Sequence, residues 1–142
     1  MEFIKEISCL ALINKNFMQT ETKYFTPEEA NRTLPLVKKI VIDILNDASL
    51  IRSISSSLAS NIENDPEIVR LTGNIKGYLA ELEEIGCYFK DWNFQLGLVD
   101  FPAIINGEEV LLCWRSDEDK IEYFHSVNEG YTGRKLIGEH LK

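Results

Sequence analysis

From Leu34 onward the apolar residues Leu34, Val37, Val41, Ile44, Ala48, Ile51, Leu58 and Ile62 recur at steps of three and four, with Ser55 in the single place left open. That is heptad spacing, which lines one face of a helix and requires a partner face. After the polar break "SNIENDPE", the residues Ile68, Leu71, Ile75, Tyr78, Leu82 and Ile85 repeat the spacing. Two such segments joined by a short loop predict an antiparallel helical hairpin, its arms about 40 Å and about 30 Å long at roughly 1.5 Å per residue.

The ends of these helices are marked by residue type. In "FTPEEANRTLP" Thr26 suits the N-cap, Pro27 the first helical position and Glu29 the third place of a capping box. Asp65 and Pro66 repeat the cap-and-proline pattern for the second helix, and Gly86 suits its C-cap. Pro35 removes a backbone donor inside the first segment, so a short helix, a kink and a restart are expected there.

A two-helix hairpin closes one seam, yet Leu36, Ile40, Leu45 and Ile54 lie off it. They require a second surface, either a sheet or a second copy of the hairpin forming a four-helix bundle. Gly73, Gly77 and Ala80 fall on the side of the second helix away from the seam. Each glycine costs about 1 kcal/mol relative to alanine in a helix interior, which a close backbone approach would offset.

Beyond Gly86 the period changes to two. "DFPAIINGEEVLLCWR" places Asn106-Gly107 between apolar runs, the signature of a two-residue type I′ hairpin turn. After "SDEDK" a third strand is expected from Ile121 to about Ser126, which makes an antiparallel β-meander of at least three strands. In the middle strand Val110, Leu112 and Trp114 point one way and Leu111 and Cys113 the other, so both faces need cover. In the simplest register Leu111, Cys113 and Arg115 share a face with Ile121, Tyr123 and His125. The glycine-rich end, "NEGYTGRKLIGEHLK", reads as mostly loop.

The expected fold class is therefore α+β, a long heptad-patterned helical hairpin followed by a small antiparallel meander. Residues 24–142 form one domain in this reading: 24–86 the hairpin, 87–137 the sheet and loops, 138–142 a tail. Residues 1–23 read as a loose arm or a misplaced start, with translation beginning at Met1 or at Met18.

Composition removes several function classes. A chain of 142 residues, 44% hydrophobic and 27% charged, can bury a core without staples. Its formal charge of −8 repels phosphate backbones and anionic lipid, so nucleic acid and membrane surfaces are not expected partners. No apolar run approaches the roughly 18 residues of a membrane helix. Cys9, Cys87 and Cys113 are odd in number and lack close pairing, which suits reduced thiols in the cytoplasm.

The candidate chemistry is sparse. His125, Asp100, Glu118 and Arg134, with Trp114, could form a polar pocket at the sheet, His125 carrying a proton and Arg134 clamping a small anionic ligand. The competing reading is structural: Asp100 or Glu118 pairs with Arg134 to pin the C-terminal loop, and a backbone carbonyl satisfies His125. A Cys113–His125 nucleophilic pair is disfavoured by the acidic chain and the apolar run around Cys113. His125, His140 and the cysteines show no zinc-ligand spacing, and no phosphate loop appears, so no metal and no cofactor is expected. Trp92, Phe94, Phe101, Trp114 and Phe124 lack interleaved basic residues and read as core rather than as a base-stacking platform.

"FTPEEANRTLPLV", "GLVDFPA", "LCW" and "GYTGR", in that order from about Tyr24 to Ile137, resemble the uncharacterised prokaryotic family known as domain of unknown function 2203. The resemblance implies a small cytosolic protein with a helical N-terminal half and a compact β half, and it brings no activity. Where the family usually reads Gly-Glu after "LCW", this chain has Asp117-Glu118. Where the family reads Trp-His-Glu, this chain has Phe124-His125-Ser126, which removes the carboxylate beside the histidine.

The heptads are the strongest signal, and they point to a non-enzymatic cytosolic interaction or scaffold module that self-associates through its helices as a homodimer. No catalytic residue is assigned, although an enzyme is not excluded. The alternative is a small-molecule binding protein or small enzyme using Asp100, Trp114, His125 and Arg134.

Overall fold

A computed structural model describes residues 21–58 and 61–139. The two candidate starts, Cys9 and His140 lie outside the described residues. Helix α1 spans Pro27–Ser57 and α2 spans Pro66–Ile85. Five strands follow: β1 Tyr88–Phe89, β2 Leu98–Ile105, β3 Glu108–Arg115, β4 Tyr123–Ser126 and β5 Lys135–Leu136. They form one sheet in chain order, and every neighbouring pair is antiparallel. The fold is α+β. None of the described helices is long and apolar enough to cross a membrane.

The caps form where the residue types require them. Thr26 Oγ1 accepts from the Glu29 amide at 3.1 Å, and Asp65 Oδ1 accepts from the amides of Glu67 and Ile68 at 3.0 and 3.1 Å. Gly86 ends α2 at φ 110°, a left-handed conformation that glycine adopts without a Cβ clash.

Two helical expectations change. α1 runs through Pro35 without the expected break, because Pro35 stands on the exposed side and the ring meets solvent. α1 also stops at Ser57, short of the Leu58 and Ile62 that continue the heptad spacing. The hydroxyls of Ser56 and Ser57 accept this by donating to the carbonyls of Ser53 and Ile54, supplying the last turn with local partners in place of further helix.

Leu34, Val37, Val41, Ile44, Ala48 and Ile51 of α1 pack with Ile68, Leu71, Ile75 and Leu82 of α2, all buried. Of the off-seam residues Ile40 is also buried, and Leu45 and Ile54 pack against the same core. Leu36 alone stays open, at 53% exposure. Gly73 and Gly77 are exposed, and none of the described residues lies within 4 Å of where a Cβ would stand, so the expected close approach is not made among the described residues.

α1 lies along one face of the sheet. Asn31 exchanges two hydrogen bonds with the Ile121 backbone, Lys38 Nζ donates to the Asp119 carbonyl at 2.9 Å, and Arg52 donates to the carbonyls of Asn93 and Phe94. A Cβ at Gly97 would sit 2.5 Å from Val41 Cγ1, so glycine is what lets helix and strand close there. Strand alternation then divides the sheet. Val99, Phe101, Ala103, Val110, Leu112, Trp114 and Phe124 share the core with the helices, whereas Asp100, Cys113 and His125 face the opposite way.

The turn at Asn106-Gly107 has φ of 53° and 83°, positive at both central residues as a type I′ turn requires. It fixes Ile105 opposite Glu108 and, five pairs further, Asp100 opposite Cys113. Pro102 is tolerated inside β2 because its carbonyl accepts from Phe25 on the side away from β3, and its missing donor falls on that same side.

Candidate functional site

The outer face of the sheet carries three buried groups capable of holding a proton or a metal ion. Asp100 on β2, Cys113 on β3 and His125 on β4 are 4%, 1% and 2% exposed, and their ligand-type atoms lie within 4.8 Å of one another. Asp100 and Cys113 oppose each other directly. His125 sits opposite Leu111, one diagonal step from Cys113. A cavity of about 310 Å3 opens above them, walled by Lys90, Leu111, Val127, Glu129 and Tyr131.

The imidazole is held at both nitrogens. Nδ1 lies 2.8 Å from the Ser126 carbonyl oxygen, which can only accept, so Nδ1 carries a proton and donates it. Nε2 faces Asp100 Oδ1 at 3.2 Å. The bond to the Asp100 carboxylate, helped by Cys113, outweighs desolvation and raises the His125 pKa from 6.5 to about 10. Burial pushes the Cys113 thiol up, against the pull of His125. A neutral buried thiol is a poor nucleophile, so the juxtaposition of Cys113 and His125 does not amount to an activated pair.

Of the other sequence candidates, Trp114 lies on the opposite face, and Glu118 and Arg134 stand beside the cavity without lining it. Trp114 points into the helix-facing core, 1% exposed, and its indole N–H donates to the Glu118 carbonyl at 2.9 Å. Glu118 Oε1 accepts from the Arg115 amide at 2.7 Å and from Arg134 Nη1 at 2.8 Å. Arg134 stands over the rings of Tyr123 and Tyr131, at 4.2 and 4.4 Å from their centroids. Glu118 and Arg134 thus form the pin between the C-terminal loop and the sheet, and Arg115, bonded to the Tyr131 hydroxyl, adds to it. Arg134 is committed to this pin and is not a free anion clamp.

The sequence puts Cys113 next to His125 without including it in the pocket; Trp114 faces the helices, whereas Glu118 and Arg134 border the cavity, Arg134 Nη1 standing 3.5 Å from the Cys113 carbonyl oxygen and its guanidinium over the ring of Tyr131. The signal that places Cys113 with Asp100 was present: a two-residue turn at Asn106-Gly107 fixes the β2–β3 register outright. The carboxylate missing beside His125 in sequence is supplied across two strands by Asp100.

The chain thus combines an α+β fold, its helices on one face of the sheet, with a buried Asp–Cys–His cluster on the other. The chain belongs to the family of uncharacterised conserved proteins DUF2203, whose model matches residues 23–137. No curated protein and no solved structure matches it.

Proposed function

We propose that the cavity on the outer face of the sheet is the working site and that it binds a small polar molecule against Asp100, Cys113 and His125. The convergence of three buried polar side chains beneath a cavity carries this reading, since buried polar groups cost stability and native pockets place a few of them to orient a ligand. His125, bonded at both nitrogens, would fix the Asp100 carboxylate in place against the ligand. The wall holds one lysine and one glutamate, Lys90 and Glu129, so its charges balance and favour a polar rather than a strongly anionic ligand. The test is a fragment screen read by amide and side-chain NMR shifts. Binders should move Leu111, Val127 and Tyr131 in the wild-type chain and lose that effect in His125→Ala. Binders that map to other surfaces, or that ignore the substitution, would remove the reading.

Self-association through the helices is the second reading. It is favoured by one observation: Gly73, Gly77 and Ala80 form an exposed small-residue stripe on α2 whose helix cost of about 1 kcal/mol per glycine nothing among the described residues offsets. A helix from a second copy could pack there closely. Light scattering across a concentration series decides it: a dimer supports an interaction or scaffold role in the cytoplasm, and a monomer at all concentrations ends it.

A further inference from the structure

Asp100, Cys113 and His125 offer an oxygen, a sulfur and a nitrogen from three adjacent strands of one sheet. Each ligand lies twelve or more residues from the next, so no local spacing announces the set. We propose that these three residues hold one divalent transition-metal cation of the zinc class through Asp100 Oδ, Cys113 Sγ and His125 Nε2, with its fourth position open to the cavity. The proposal rests on the reading of that cavity as the working site and names what lies at its floor.

Four features carry it. In a tetrahedral site with bonds of about 2.0–2.3 Å, ligand atoms stand roughly 3.3–3.6 Å apart. Here His125 Nε2 and Asp100 Oδ1 are 3.2 Å apart and all three atoms fall within 4.8 Å, so small side-chain rotations suffice. The donor set selects the cation: thiolate and imidazole suit zinc and its neighbours, whereas calcium and magnesium take oxygen ligands. The orientation of His125 is that of a metal-bound histidine, with Nδ1–H donating to the Ser126 carbonyl and Nε2 turned to the cluster. Charge closes as well. Thiolate and carboxylate sum to −2, so a divalent cation makes a neutral buried unit in a region that is otherwise desolvated.

Binding requires Cys113 Sγ and His125 Nε2 to give up their protons, which leave to solvent as the metal bonds form. Three protein ligands with an open fourth position match sites that bind and polarise a small molecule, not closed structural sites. The cavity of about 310 Å3 with Lys90, Glu129 and Tyr131 in its wall is the space into which that position faces.

The experiment titrates Co2+, and then competing Zn2+, into the full chain after chelator treatment. One Co2+ per chain should bind, with a thiolate charge-transfer band and the intense visible bands of a tetrahedral site. Cys113→Ser should abolish the charge-transfer band, Cys87→Ser and Cys9→Ser should keep it, and His125→Gln should weaken Zn2+ binding tenfold or more. In the wild-type chain, which needs no variant to fold, Zn2+ should move the His125 imidazole 15N resonances at Nε2 while Nδ1 keeps its proton. Absence of saturable binding in the wild-type chain, a band that survives Cys113→Ser, or unmoved His125 resonances at saturation would each overturn the proposal. If metal fails while fragments still map to Leu111, Val127 and Tyr131, only the metal is wrong; if both fail, the cavity reading falls with it.

Discussion

The two faces of the sheet are built to different rules from the same strands. On the inner face Val99, Phe101, Leu112 and Trp114 are apolar, buried and shared with the helices. On the outer face the residues one step along, Asp100 and Cys113, are just as buried but polar, and the third buried member is His125. Apolar burial stabilises by about 25 cal/mol per Å2, whereas a buried ion pair returns little or nothing after desolvation. The inner face accounts for why the chain folds. The outer face carries a burial cost that the proposed site would account for.

The largest effect separating the faces should come from the inner one. Trp114→Ala removes a side chain that is 1% exposed together with its bond to the Glu118 carbonyl, and should cost about 3–5 kcal/mol, read as a lower denaturant midpoint. A loss below about 1 kcal/mol would mean that the sheet does not share the helical core.

The next effect is electrostatic and belongs to the outer face. The folded pKa of His125 stands at about 10, above its ordinary 6.5. The stability contributed by its protonated form is therefore fully present below about pH 6.5 and is lost as pH rises through about 10. In chelator-treated protein the unfolding free energy should fall across that window, and Asp100→Asn should flatten the fall. An equal slope in both chains would show that Asp100 does not hold the imidazole.

The smallest effect probes the helical layer. Gly73→Ala places a methyl group where none of the described residues lies within 4 Å, so a monomer should gain up to about 1 kcal/mol. A loss of stability that deepens on dilution would instead reveal a second copy packed on that stripe.

Much of the fold was legible. Thr26, Asp65, Gly86 and Asn106-Gly107 each mark an element end by a local rule, and each does so in the structure. What escaped were features decided by tertiary context. β1 and β5 are two residues each, too short for any period, and exist only because β2 and β4 offer edges to pair with. The surplus apolar flank of α1 suggested a partner, yet Ile40 is buried and Leu45 and Ile54 pack on the core of the same chain. Part of the site was legible as well. Alternation put Cys113 beside His125, and the two-residue turn put Asp100 opposite Cys113. The seven residues between β3 and β4 leave their register open, so the closure of all three groups, and the pairing of Glu118 with Arg134 beside them, appear only in three dimensions.

The most direct measurement replaces the outer pair with apolar residues and asks whether stability needed it. His125→Ala alone leaves the Asp100 charge buried without its partner and should cost about 3 kcal/mol or more, whereas the paired change Asp100→Val with His125→Leu should be neutral or stabilising. Urea unfolding of the three chains, metal-free and at one pH near neutrality, reads both. A double variant as stable as the wild type or more so is the result expected of a site kept for function. A double variant as unstable as His125→Ala would contradict it and make the pair a structural element of the sheet.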